Sequence, residues 1–231
     1  MPAQTVLFDI DGTLLVTDSA GTVALESVFR DHYALPEPDL SINFSGRTDA
    51  SILRELLQIN GLCDAIDSVR RLRDHYIAGF PAVMRRVGGW LLPGVESLIA
   101  RCRDDAATHC CVMTGNCVPT AREKLGHFDL VPHFRSVFGG DESFDRIELA
   151  RRTADAMTGT DLADVDRVVV VGDTPDDVHC GRAIDAKTIA VATGRYDAAS
   201  LAAAAPDLLV DDLTDERVAE FLFPGSVPNL T

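Results

Sequence analysis

Short runs of continuously apolar residues, alternating with helical spacing, restrict what this chain can fold into more than any other feature. The runs cover residues 5–10, 109–114, 136–138, 168–171 and 188–192, with 208–210 as a sixth candidate. A strand with one wet face alternates apolar and polar residues. Runs apolar throughout belong to strands covered on both sides, as in a parallel sheet wrapped by helices. Between them lie helical stripes: Leu98, Ile99 and Cys102 before the second run, and Leu149, Ala150, Thr153, Ala154 and Met157 before the fourth. This strand–helix alternation predicts an α/β fold with a doubly wound parallel sheet.

The alternation breaks once. Residues 16–88 carry three apolar stripes at helical spacing and no convincing strand: Ala24, Leu25, Val28 and Phe29; Ile52, Leu53, Leu56 and Leu57; Ile77, Phe80, Val83 and Met84. A connection of about seventy residues is an inserted domain rather than a loop. The expected division is a core of residues 1–15 and 89–231 and a helical insertion of residues 16–88. Gly88-Gly89 and Pro93-Gly94 mark the return to the core and the start of its next helix. Residues 222–231 hold two prolines and no periodicity, which predicts a loosely attached tail.

Two of the apolar runs end in clustered aspartates. Phe8-Asp9-Ile10-Asp11-Gly12-Thr13 closes the first, and Gly172-Asp173-Thr174-Pro175-Asp176-Asp177 closes the fourth. Strand ends are where open parallel sheets bind ligands. Carboxylates brought together there repel unless a hard cation neutralises them. Magnesium suits that role, because it takes a few carboxylate oxygens and fills its other positions with water and phosphate. Extended backbone puts Asp9 and Asp11 on one face. One of the two can attack phosphorus and carry the phosphoryl group, while the other protonates the leaving alcohol. Asp173 and Asp177 complete an expected cation site made of Asp9, Asp11, Asp173 and Asp177, with helix capping as the competing role for one of the last two. Thr114-Gly115-Asn116 closes the second run and offers a hydroxyl, a backbone amide and a side-chain amide to phosphate oxygens.

Charge narrows the partners. With 36 acidic and 21 basic residues, the 231-residue chain has a formal net charge of −15. A nucleic-acid or anionic-membrane surface would need a basic face instead. Six cysteines show no CxxC pair or zinc-like spacing, so reduced thiols are expected. There is no charged leader with an apolar stretch at the N-terminus and no run of membrane-spanning length, which places the expected location in the cytoplasm.

Asp-X-Asp-Gly-Thr, a threonine ending the second strand and Gly-Asp-Thr-Pro-X-Asp together resemble the haloacid dehalogenase-like hydrolase superfamily. The helical insertion and the stretch Leu92-Pro93-Gly94-Val95-Glu96-Ser97-Leu98 are similar to its phosphoglycolate phosphatase and β-phosphoglucomutase branch. The resemblance implies a Rossmann-like core under a helical cap, magnesium, and hydrolysis of a small phosphorylated metabolite through an aspartyl-phosphate. It assigns Asp9 as nucleophile, Asp11 as acid/base, Thr114 as phosphate ligand and Asp173 as metal ligand. One element departs: the family's lysine after the third strand is missing from Asp141-Glu142-Ser143-Phe144-Asp145-Arg146. Arg146 takes the comparable place and is the expected cation. Lys124, on the helix after Thr114, is the rival and is expected to face solvent.

A phosphomutase shares every one of these core residues and is the runner-up. A non-catalytic phosphate- or metal-binding module would not need Asp11. A dehalogenase is disfavoured for the same residue, and a Schiff-base phosphonate hydrolase by the lack of lysine in residues 16–88. Within the insertion, Arg47 is the candidate for reading the leaving group of an acidic substrate, such as phosphoglycolate. Its competing role is a salt bridge to a nearby acid, with Thr48 or Asp49 capping the helix.

Overall fold

The computed structural model describes residues 3–163 and 165–224. The chain begins with β1 (Gln4–Phe8) and β2 (Leu15–Val16), then enters the helices α1 (Ala20–Tyr33), α2 (Asp49–Ile59) and α3 (Ile66–Val87). It returns through β3 (Trp90–Leu91), α4 (Val95–Asp104), β4 (Thr108–Met113), α5 (Val118–His127), β5 (Val137–Phe138) and α6 (Arg146–Met157). It finishes with β6 (Arg167–Gly172), α7 (Pro175–Ala183), β7 (Lys187–Val191), α8 (Ala198–Ala203), β8 (Leu208–Val210) and α9 (Glu216–Leu222).

Six of the strands form one parallel sheet in the order β5-β4-β1-β6-β7-β8, so the chain builds outward from β1 in both directions. The two-residue period of a strand explains why its members are apolar throughout. Val6 and Phe8 of β1 pack with Leu98 and Ile99 of α4, Leu125 of α5 and Val218 of α9 on one face. Leu7 packs with Leu149 and Met157 of α6 and Cys180 of α7 on the other. The fold is therefore the expected doubly wound α/β sheet.

The helices between β2 and β3 pack on one another. Phe29, Leu53, Leu56, Leu57, Leu72 and Phe80 are fully buried there. Each such burial contributes about 1.5–3 kcal/mol, enough to give the insertion a core of its own. A two-stranded antiparallel ribbon, Leu15–Val16 against Trp90–Leu91, ties together the ways in and out. Strands this short have too few residues for an apolar period to show.

The expected tail at residues 222–231 needs correction where it is described. Leu222 ends α9, and Leu222 and Phe223 are buried. The Gln4 and Arg167 side chains donate to the Leu222 carbonyl at 2.7 and 3.0 Å, so this segment is stitched to the sheet. Residues 225–231 lie outside the described part. Among the described residues, no helix is long and apolar enough to cross a membrane.

Register positions the site. Phe8 pairs with Val112 on one side and Val171 on the other. Asp9, Thr114 and Asp173 consequently leave the sheet together at its C-terminal edge, where the strand order diverges from β1.

Candidate active site

Asp9 follows β1 with its amide donating to the Val171 carbonyl at 2.9 Å, and its side chain is buried. Gly12 turns the chain back with φ of 86°, and a Cβ there would lie 2.5 Å from Asp173 Oδ2. Only glycine suits both the conformation and the space. Thr13 then donates to Asp173 Oδ1 at 3.2 Å.

One carboxylate oxygen from each of Asp9, Asp173 and Asp177 lies within 4.8 Å of the other two, and all three side chains are buried. Burial first, and the neighbouring carboxylates next, push Asp9 up to about 7 and Asp173 up to about 9. Asp9 Oδ1 accepts no hydrogen bond from any described residue. Buried anions that repel one another and leave an acceptor unused fit a hard divalent cation. Asp11, expected among the cation ligands, stands outside this group.

Asp177 does two jobs at once. Its Oδ2 accepts from the Thr174 hydroxyl at 2.7 Å and the Thr174 amide at 3.1 Å, while Thr174 Oγ1 accepts from the Asp177 amide at 3.2 Å. This is a capping box at the start of α7. The other oxygen, Oδ1, takes a hydrogen bond from Arg146.

Arg146 opens α6 behind the N-cap Asp145, and it is buried rather than an exposed ion-pair partner. Its Nη1 lies 3.7 Å from Asp9 Oδ1. Burial opposes its charge, but Asp177 and Asp9 outweigh that and hold the guanidinium charged. Lys124 corrects an expectation: it is only 5% exposed and does not face solvent. Its Nζ donates to Asp11 Oδ1 and Oδ2 at 2.8 and 2.6 Å and to Asn116 Oδ1 at 2.7 Å. Thus the two candidate cations divide the site, Arg146 beside Asp9 and Lys124 on Asp11. Lys124 lies on the buried face of α5 with Thr120, Ala121 and Leu125.

Thr114 is fully buried, and its hydroxyl favours the ionised form of Asp9. The same hydroxyl accepts from the Asn116 side chain at 2.8 Å, and Asn116 Nδ2 also reaches Asp11 Oδ2 at 2.7 Å. Thr114, Gly115 and Asn116 all line one cavity of about 490 Å³ with Asp9, Asp11 and Asp173. Arg47 lines it too, from the insertion, while paired with Glu55 at 2.5 Å; Thr48 is the N-cap of α2. Two further residues on the cavity wall, the half-buried Asp49 and the buried Tyr76, were not expected there.

A profile of the haloacid dehalogenase-like hydrolase family matches residues 6–191, which takes in both aspartate motifs and the insertion. The chain belongs to this family. Among curated proteins, it is 31% identical over 201 residues to the tyrosine-protein kinase PtkA of Mycobacterium tuberculosis, covering 83% of this chain and 62% of that protein. The chain thus spans less than two thirds of the length of that relative. Among solved structures, a predicted phosphatase from Clostridium acetobutylicum is similar, with a TM-score of 0.71 and 19% identity over 96% of this chain and 99% of that one. CbbY from Rhodobacter sphaeroides, in complex with phosphate, also has a TM-score of 0.71 and 19% identity, over 93% and 96%. At these identities the likeness establishes the shared fold.

Proposed function

We propose that the protein is a magnesium-dependent phosphatase that hydrolyses a small organic phosphomonoester through an aspartyl-phosphate at Asp9. The observation that carries this reading is the pairing of differently equipped carboxylates. Asp9 is buried with an unused oxygen beside Arg146, whereas Asp11 is held by Lys124 and Asn116 in the same cavity. A nucleophile and a separate acid/base require that division of labour.

In this reading Asp9 attacks phosphorus and forms an acyl phosphate as the ester oxygen departs. Asp11 gives that oxygen its proton, so the alcohol leaves neutral. Asp11 then takes a proton from water as the water attacks phosphorus, which frees Asp9 and releases inorganic phosphate. Arg146, Thr114 and the 115–116 turn bind the phosphoryl oxygens, and Arg146 offsets the charge they gain. Magnesium held by Asp9, Asp173 and Asp177 would neutralise the carboxylates and the phosphoryl group. The insertion serves as the cap over this site, and Arg47 on its rim favours an ester with a second anionic group, of the phosphoglycolate type.

The kinship with a protein named as a tyrosine kinase favours a second reading, phosphoryl transfer to a tyrosine instead of to water. A cavity of about 490 Å³ suits a small ester and leaves little room for a nucleotide and a peptide side chain together. Phosphate release from a panel of esters, with magnesium and with chelator, tests the first reading. Incubation with ATP and a tyrosine peptide tests the second. Magnesium-dependent phosphate release without peptide labelling is expected; peptide labelling without ester hydrolysis would reverse the order of the two.

A further inference from the structure

Asp49 is a half-buried carboxylate that the reaction scheme leaves unused. It is the first residue of α2, where an acid often caps the helix, but Thr48 already does so by accepting from the Ser51 amide at 3.3 Å. Asp49 instead reaches across to the core. Its backbone amide donates to the Gly115 carbonyl at 2.7 Å, and its Oδ2 accepts from the Cys117 amide at 2.7 Å. The two segments meet without a gap: a Cβ at Gly115 would lie 1.9 Å from the Arg47 carbonyl oxygen. A Cβ at Gly140 would lie 2.9 Å from Thr48 Cβ. Residues 47–49 of the insertion therefore rest directly on the 115–117 turn.

Between the two clamped residues sits Asn116. Its side-chain amide donates to Asp11 at 2.7 Å, and its side-chain oxygen accepts from Lys124 at 2.7 Å. Whatever fixes the backbone on either side of Asn116 also fixes the group that orients Asp11. Burial pushes the Asp49 carboxyl up to about 6, against the Cys117 amide and Lys124, which favour its charge. A surface acid would cap α2 without that desolvation.

We propose that Asp49 is a positioning residue: by seating the helical insertion on the 115–117 turn it aligns Asn116, and through it Asp11, for proton transfer to the leaving group. This inference rests on the phosphatase reading. It makes acid/base alignment depend on the insertion being seated, so an ester is cleaved efficiently only with the insertion resting on the turn.

The test compares Asp49→Ala and Asp49→Asn with the wild type in two measurements. Asparagine keeps an oxygen that can accept from the Cys117 amide; alanine does not. Hydrogen exchange reads the seat directly. The Cys117 amide and residues 47–53 should exchange at least about tenfold faster in Asp49→Ala and stay protected in Asp49→Asn. Turnover on an alkyl phosphate and on an activated aryl phosphate reads Asp11. Asp49→Ala should lose at least about tenfold more kcat on the alkyl ester, whose poor leaving group needs the acid, and Asp49→Asn should restore the wild-type ratio. Equal losses on both esters, or unaltered exchange in Asp49→Ala, would overturn the positioning role while leaving the phosphatase reading in place. So would an Asp49→Asn protein that loses the alkyl ester selectively, and that result can be read even if Asp49→Ala does not fold. A wild type that hydrolyses neither ester overturns both.

Discussion

Arg146 and Lys124 make the sharpest comparison between single residues. Both are buried, but their carboxylate partners differ: removing Arg146 leaves Asp9 and Asp177 buried without their cation, a change that commonly costs about 3–5 kcal/mol of stability, whereas Asp11 is 42% exposed and can turn to water when Lys124 is removed. Their effects on turnover should differ in kind. Arg146→Ala removes the cation beside the transferring phosphoryl group and should cost on the order of a hundredfold in kcat for every ester, with Arg146→Lys partly restoring it. Lys124→Ala should also be severe, because Asp11 loses two of its hydrogen bonds, and its loss should grow as the leaving group worsens. Steady-state kinetics on alkyl and aryl esters separates the two; identical leaving-group dependence in both variants would contradict the division between Asp9 and Asp11. The raised carboxyls give a second prediction. Folding lifts Asp9 to about 7 and Asp173 to about 9, above the value near 4 expected in an unfolded chain. The stability linked to them is present below pH 4 and is lost as pH rises through 7 and 9. Without metal, Tm should therefore fall between pH 6 and 9. Magnesium must displace those protons, so its affinity should rise over the same window and restore Tm. A metal-free Tm that climbs across that range would contradict the buried cluster.

At the scale of elements, the start of α7 joins folding to the proposed chemistry, because Thr174 holds by its hydroxyl and amide the same Asp177 that sits in the buried carboxylate cluster with Asp9 and Asp173. Thr174→Ala should lower stability by about 1 kcal/mol, the usual loss for an N-cap. It should also raise the magnesium concentration needed for half-maximal activity, measured by titration at fixed substrate. A lower Tm with an unaltered magnesium requirement would separate Asp177 from the cation. The capping alternative recognised in the sequence and the carboxylate's place in the cluster turn out to be compatible, since Asp177 has two oxygens and uses them differently. The strands were legible because each is buried on both faces and reads as an unbroken apolar run. Asp9, Asp11 and Asp173 were legible because they follow such runs immediately. The inward turn of Lys124 and the seat made by Asp49 were not, because each depends on a partner 113 or 68 residues away that no local spacing reveals.

Across the whole molecule, the sheet with its two packed faces and the insertion with its own core meet at one polar seam. The sheet and its helices present Asp9, Thr114 and Asp173 at a common edge, and the insertion supplies Arg47, Asp49 and Tyr76 from the opposite side. The helical character of the insertion could be read from its three stripes. The ribbon of Leu15–Val16 and Trp90–Leu91 that anchors it could not, nor could the docking of Leu222 and Phe223, which follows from contacts with Gln4 and Arg167 at distant points in the chain. The central claim, a phosphoryl group carried on Asp9, is open to direct measurement. The protein is mixed with excess ester and magnesium, quenched in acid within the first turnovers, digested, and weighed by mass spectrometry. One added phosphoryl group is predicted on the peptide holding residues 4–16, assigned to Asp9, and none in Asp9→Asn, which should also lack turnover. Turnover with that peptide unmodified, or a phosphoryl group on any other residue, would contradict the account.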